Sequence, residues 1–356
     1  MKSTLFTVGP VEMYPGTLAV GGEQLPYFRT KEFSELVLDC DRSLQTLIDA
    51  PEGSRTILLT ASGTGAMEAA AINLIAPGQR ALVVTGGSFG DRFCEICEDN
   101  GIPFDAIRLE PGRTLDVGQL AARDLAQYAA LLINAHETST GVLYDIPRIG
   151  ELCRKNGLLF IVDAISAFLC DPLSMAAMGI DLLITSSQKA LALAPGLSIM
   201  VLSPRAVDIV SGAKVRSHYF GLKKYLLDAA RGQTPFTPAV GVILQLHERL
   251  KALEAMGGAE AAVRQKKELA AHFRASIAGL PYAQFAETPS NALTALTPLW
   301  GASAHELFVK LNDEYGLVVT PNGGKLKDKV FRVGHMGNLG PADLDALAKA
   351  LAEVCR

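Results

Sequence analysis

The sequence predicts an α/β fold, a mostly parallel sheet flanked by helices, with a smaller C-terminal α+β domain. Three observations carry this. From about residue 55 to 205, short apolar runs alternate with stretches of helical periodicity, and such alternation lays parallel strands side by side with helices on both faces. The runs end in clusters of small and polar residues, as in Leu158-Leu159-Phe160-Ile161-Val162-Asp163-Ala164, and ligands of open parallel sheets bind beyond the carboxyl ends of the strands. Past residue 250 the rhythm changes to longer helices with shorter strands, which marks a second unit.

Taken in chain order, strands are expected at 56–60, 80–85, 130–134, 158–162, 182–185 and 198–202. Helices are expected between them at 66–75, 92–100 and 149–155. Thr237-Pro238 reads as an N-cap followed by proline at the first helical position, opening a long helix to Ala255 that Gly257-Gly258 stops. Beyond it, helices are expected near 259–279, 303–315 and 341–355, with strands near 292–298, 317–320 and 329–333. The expected division is a large unit, 15–250, and a small one, 251–356, joined by residues 1–14.

Composition narrows the function. A net charge of -4 over 356 residues gives no reason to expect nucleic acid or an anionic membrane as partner. No apolar run reaches membrane-spanning length. Met1-Lys2-Ser3-Thr4-Leu5-Phe6 has no secretory-signal character. The six cysteines are scattered, and the lone Cys94-x-x-Cys97 pair has no second pair to complete a zinc site. Reduced thiols, a cytoplasmic setting and no metal are the expectation.

The most informative residue is Lys189, in Ser186-Ser187-Gln188-Lys189-Ala190-Leu191, 26 positions after the strand-ending Asp163. An amine and an acid at the ends of neighbouring strands are what pyridoxal 5'-phosphate (PLP) requires. The amine forms a Schiff base, and the acid keeps the pyridine nitrogen protonated. Taken singly, either residue is as well read as a surface lysine or a helix-capping acid; the surroundings give the pair its weight. Ala61-Ser62-Gly63-Thr64-Gly65 turns from strand to helix and suits a phosphate, yet it is neither a Walker sequence nor a dinucleotide fingerprint. In Gly86-Gly87-Ser88-Phe89-Gly90-Asp91-Arg92, Phe89 is placed to stack on a planar ring or to fill the core. Asn134-Ala135-His136-Glu137-Thr138-Ser139-Thr140-Gly141 offers hydroxyls to a ring oxygen. There His136 reads as a structural histidine, and Glu137 stays open between a packing acid and a substrate-side group. Ile165 would touch the ring face opposite Phe89, and Gln188 could reach a phosphate. Arg332, in Phe331-Arg332-Val333-Gly334, could clamp an anionic substrate group.

In this order, over nearly the whole chain and starting from Thr7-Val8-Gly9-Pro10-Val11, these motifs resemble the class V aminotransferases of PLP fold type I. The resemblance implies Lys189 as the Schiff-base lysine and Asp163 as the pyridinium partner. It implies Phe89 and Ile165 on the two ring faces, with Gly63, Thr64, Gly65 and Gln188 at the phosphate. Thr138 or Ser139 would contact the ring hydroxyl, and Arg332 with Gly9 would meet the substrate. Such enzymes are typically homodimers in which a neighbour's loop completes the phosphate site; Gln233-Thr234-Pro235-Phe236-Thr237-Pro238 looks like that loop, with Thr234 and Thr237 as its candidates. Within the class, His-Glu-Thr-Ser-Thr-Gly and Val-Asp-Ala-Ile-Ser-Ala-Phe look close to 2-aminoethylphosphonate:pyruvate aminotransferases, with alanine:glyoxylate and serine:glyoxylate aminotransferases next.

The implied reaction is a ping-pong transamination between a small amine and a 2-oxo acid. Two other readings compete. A PLP-dependent lyase or cysteine desulfurase would place a histidine over the ring and a reactive cysteine in a mobile loop; here Phe89 stands instead, and Cys170 is the thiol nearest Asp163 in sequence. A non-enzymatic α/β scaffold would bind a phosphate-bearing ligand without turnover.

Overall fold

The computed structural model describes residues 3–355; positions 1, 2 and 356, the extremes of the small unit expected from the sequence, lie outside the described residues. The strands run, in chain order, β1 (Thr4–Leu5), β2 (Arg55–Leu59), β3 (Ala81–Thr85), β4 (Phe104–Arg108) and β5 (Ala130–Asn134). Then come β6 (His136–Glu137), β7 (Val142–Leu143), β8 (Leu159–Asp163), β9 (Leu182–Ser186) and β10 (Ser198–Leu202). The last are β11 (Tyr282–Gln284), β12 (Leu293–Pro298), β13 (Leu317–Val318), β14 (Thr320–Pro321) and β15 (Phe331–Gly334).

Seven strands form the main sheet in the order β2-β10-β9-β8-β5-β3-β4. β10 runs antiparallel to both neighbours, β2 and β9, and the rest pair in parallel. Every residue of β3, β5, β8, β9 and β10 is buried, as expected of strands covered on both faces. Among the helices, α1 (Pro15–Gly21) and α2 (Lys31–Leu47) precede the sheet, and α3 (Gly63–Leu74) and α4 (Ser88–Asp99) follow β2 and β3. In α2 the sequence reading missed an amphipathic helix whose Phe33, Val37, Cys40 and Leu44 face the core.

The β8–β5 ladder sets Asp163 opposite Asn134, and the β8–β9 ladder sets it opposite Ile184. The carboxyl ends of β5 and β8 therefore lie level, while β9 runs on to Ser186 before the chain enters Ser187, Gln188 and Lys189.

A four-stranded sheet, β11-β12-β15-β14, is antiparallel throughout. Its core joins Phe6 to side chains between Leu269 and Leu351. The long helix after the main sheet starts at Val240 and ends at Ala255, with Ala239 as N-cap. This corrects the expected Thr237-Pro238 start: Thr237 is exposed and lies ahead of the helix. The cap comes from a distant residue, since Ala239 N–H donates to Thr60 Oγ1 at 2.9 Å.

Candidate active site

Asp163 ends β8 with its side chain buried. Its Oδ2 accepts from Asn134 Nδ2 at 2.7 Å and its Oδ1 from the Ile165 N–H at 2.8 Å. Burial raises its pKa to about 6, against those hydrogen bonds and the Lys189 charge, while Glu137 adds to the rise. A cationic N–H placed against this carboxylate would restore its charged form.

Lys189 is 8 % exposed. Burial lowers its amine to about 8, helped by Arg332 and Arg92 and opposed by Asp163. Its Nζ donates to the Val8 carbonyl at 2.5 Å. Gly9, at φ +118, lets the N-terminal segment lie against this side chain: a Cβ there would come within 2.6 Å of Lys189 Cδ. No L side chain suits both that angle and that gap.

Asp163 and Lys189 line one cavity of about 170 Å³ with Ser62, Gly63, Thr64, Phe89, Thr138, Ile165, Ser166 and Gln188, among others. Two larger clefts, of about 490 and 580 Å³, bring together no such set. Gly63 begins α3, and any Cβ on it would collide with Ile165 Cδ1. The N-cap Ser62 makes no side-chain cap, which leaves the first turn of α3 open to an anion. Gln188 Oε1 accepts from Ser186 Oγ at 2.7 Å. Thr138 Oγ1 pairs with Ser166 Oγ at 2.7 Å, and Ser166 in turn meets His136 Nδ1 at 2.9 Å. Burial pushes His136 down to about 3, so the ring is neutral.

Not every candidate faces the cavity. Ser139 donates to Glu137 Oε1 at 2.5 Å and accepts from Ser88 N–H at 3.2 Å. Glu137 also accepts from the N–H groups of Gly90 (2.9 Å) and Phe89 (3.4 Å), so this acid caps α4 and thereby sets Phe89. Gly65 packs on Ala61 and Phe220, inside the turn rather than on the cavity wall. Thr234 Oγ1 donates to Phe236 O at 2.7 Å and Thr237 is exposed; neither lines the cavity of its own chain.

Arg332 on β15 reaches the site from the second sheet. Its Nη1 donates to Thr138 O at 3.1 Å and Nη2 to Pro321 O at 2.5 Å. Nε is buried with no partner. Burial lowers its pKa to about 10. A desolvated guanidinium held only by carbonyls retains a strong preference for an anion. The sequence reading missed Asn134, Ser166 and Arg92 as members of the site. Asn134 could have been found by aligning the ends of the two strands.

A model of the family described as "Aminotransferase class-V" matches residues 25–326. The chain belongs to the class V aminotransferases. It is 32% identical over 351 residues to a protein of Anabaena cylindrica named soluble hydrogenase 42 kDa subunit, covering 96% of this chain and 90% of that one. It is 31% identical over 358 residues to the alanine–glyoxylate aminotransferase of Callithrix jacchus, covering 97% and 86%. The crystal structure of a subgroup IV aspartate aminotransferase from Thermus thermophilus superposes with a TM-score of 0.92 at 29% identity, covering 99% of this chain and 100% of that one. This class V aminotransferase is thus a PLP-dependent transaminase with the type I fold. Its residues fit the cofactor: a buried amine, a buried acid and an uncapped helix terminus surround one cavity, and Arg332, with an orphaned guanidinium nitrogen, is bonded to the Thr138 carbonyl beside it. No helix of the described residues is long and apolar enough to cross a membrane.

Proposed function

We propose that the enzyme transfers an amino group from a small amino acid to glyoxylate or pyruvate in two half-reactions, with Lys189 and Asp163 as its catalytic residues. The observation that carries this reading is that the two side chains share one cavity at adjacent strand ends. When bound, the cofactor supplies an aldehyde for amines to condense with and a ring that takes up the electron pair of a broken C–H bond. Lys189, with its amine lowered to about 8, holds the cofactor and, once released, moves the proton at the substrate α-carbon as base and then acid. Asp163 holds the ring nitrogen protonated. Phe89 and Ile165 hold the ring between them, and Thr138 donates to its oxygen. Gly63, Thr64 and Gln188 cradle the phosphate, and Gly65, packed on Ala61 and Phe220, keeps the turn behind them tight. Arg332 binds the substrate carboxylate, and Gly9 keeps the N-terminal segment close against Lys189.

The alanine–glyoxylate relative favours an α-amino acid donor over 2-aminoethylphosphonate, which the sequence motifs ranked first. A desulfurase reading gains nothing from Cys170, which is fully buried with its thiol pushed well above the ordinary range. We also propose a homodimer in which Thr234 and Thr237 serve the partner's phosphate site; their absence from their own cavity wall is consistent with this. Residues 15–250 would then hold the cofactor, and 251–356 with 1–14 would carry Arg332 and cover the entrance.

The test is a half-reaction screen. The purified enzyme is mixed with alanine, serine, aspartate or 2-aminoethylphosphonate, and the cofactor band at about 400–430 nm is followed. Rapid loss with alanine or serine supports the proposal; a response to the phosphonate alone would move the substrate to the other branch. Lys189→Ala should lose both the band and turnover, and retention of both would refute the assignment.

A further inference from the structure

Of the Gly86–Arg92 segment, Phe89 and Arg92 line the cavity, and the proposed function gives Arg92 no task. It lies on α4, one turn after Phe89, and lines the cavity beside Ser62, Gly63 and Thr64. Its Nη1 donates to Thr64 Oγ1 at 3.1 Å. Its guanidinium carbon sits 4.9 Å from the centre of the Phe89 ring. Its sequence neighbour Asp91 bridges to Arg108 at 3.1 Å, and among the described residues no carboxylate forms a salt bridge with Arg92. Apart from Lys189, it is the only cation among the residues lining the cavity.

We propose that Arg92 supplies the positive charge of the cofactor-phosphate seat and is a positioning residue that holds Thr64 as a donor toward that phosphate. The inference rests on the cofactor reading above. A phosphate monoester brings a charge of about -1.5 to -2 at neutral pH. The terminus of α3 offers only about half a positive charge, and Lys189 is committed to the cofactor's aldehyde. Thr64 has one hydroxyl proton. Because its oxygen already accepts from Arg92, that proton is free to point at the phosphate.

The test separates phosphate from ring. Cofactor-free wild type, Arg92→Ala, Arg92→Gln and Arg92→Lys are titrated with PLP and, separately, with pyridoxal, which has the same ring and aldehyde without the phosphate. Arg92→Ala should weaken PLP binding by about 10- to 100-fold, the range for losing a charged hydrogen-bonding partner. Pyridoxal binding should change by less than about twofold, and Arg92→Lys should recover part of the loss. Equal weakening for both ligands would reduce Arg92 to a structural support. Unchanged PLP affinity with a raised KM only for donors carrying a second acid group would make it a substrate reader. Either result overturns the inference. If Arg92→Ala does not fold, Arg92→Gln, which keeps a donor for Thr64 but not the charge, is read by the same PLP-to-pyridoxal ratio. A wild type that binds neither ligand would overturn the cofactor reading itself, and this inference with it.

Discussion

Two regions of this molecule bury a lysine under nearly the same electrostatic conditions. Lys189 is 8 % exposed and Lys266 is 2 % exposed; burial lowers both amines to about 8. Each donates to one backbone carbonyl, Lys189 to Val8 at 2.5 Å and Lys266 to Gly337 at 2.9 Å. Their surroundings differ. Lys189 faces a cavity that also holds Asp163. Lys266 lies on the helix Gly258–Ser276, where it meets the long helix Val240–Ala255 and the loop after β15. There Tyr14 Oη donates to the same Gly337 carbonyl at 3.1 Å, and Arg249 stacks 3.9 Å from the Tyr14 ring centre. Arg249 lowers Lys266 further, and Lys266 lines none of the clefts described above. A displaced pKa therefore records burial. Chemistry needs the displaced group to face a space where complementary groups also point.

The strongest way to break this contrast is to remove each amine. Lys189→Ala should abolish turnover, a fall of at least about a thousandfold for the loss of an acid–base group and covalent anchor. Lys266→Met should leave kcat within about twofold and should stabilise the fold by ~1 kcal/mol at pH 7.5, because a desolvated charge gives way to an apolar chain. The sign with pH follows from the direction of the shift. With a folded pKa of about 8 against an ordinary 10.5, the native state binds fewer protons between those values, so stability rises with pH across that window. Lys266→Met should flatten the rise, as read by urea unfolding at pH 7.5 and 10. Loss of activity in that variant would end the distinction between the two sites.

The two buried acids sharpen the same contrast. Asp163 and Glu137 both have pKa values raised by burial, but Asp163 lines the cavity while Glu137 directs its oxygens to α4 and Ser139. Asp163→Asn should lower kcat by about 10²–10³, the scale for removing one preorganised electrostatic partner, with little change in melting. Glu137→Gln should reverse the balance. It should cost ~1–3 kcal/mol of stability, because backbone donors lose a charged acceptor, with a smaller kinetic effect through Phe89. Calorimetry and steady-state kinetics on both variants check the pairing.

Much of this was legible in the chain because a parallel sheet delivers its functional groups at strand ends, where sequence and position coincide. Lys189, Asp163, Thr138 and Gly63 each follow a short apolar run, and the structure gathers them around one cavity. What failed depends on contacts distant in sequence. The start of the Val240–Ala255 helix is set by Thr60, far from the Thr237-Pro238 signal. The edge strand β4, Phe-Asp-Ala-Ile-Arg, is mostly half-buried and carries too little apolar pattern to stand out. Glu137 has a task that no local pattern shows, because it accepts from the first N–H groups of α4, far away in sequence. The partnership of Arg92 with Thr64 arises only because α3 and α4 pack together.

The smallest effect expected is a difference in slope, and it sets one more buried group against the cavity. His335 lies outside the active site, fully buried, and burial together with Arg274 lowers it to about 3. Its Nδ1 faces the Asn291 carbonyl at 3.0 Å, an acceptor only, so that nitrogen carries the proton; Nε2 then accepts from Thr294 Oγ1 at 3.2 Å. Acid takes away that acceptor and adds a charge near Arg274. The unfolded histidine binds its proton near pH 6.5 and the native one only near 3, so the native state binds fewer protons between those values and stability falls as pH drops through the window. The raised pKa of Asp163 acts in the opposite sense between about 3.8 and 6, so the comparison must be of slopes between variants. His335→Asn should lose some stability at pH 7.5 from altered packing. Between pH 6.5 and 4.5 it should lose less than wild type, by on the order of 1 kcal/mol per pH unit. PLP affinity at pH 7.5 should not move. Parallel stability curves for the two proteins would mean that this histidine is protonated in the native state and that its burial carries no titration penalty.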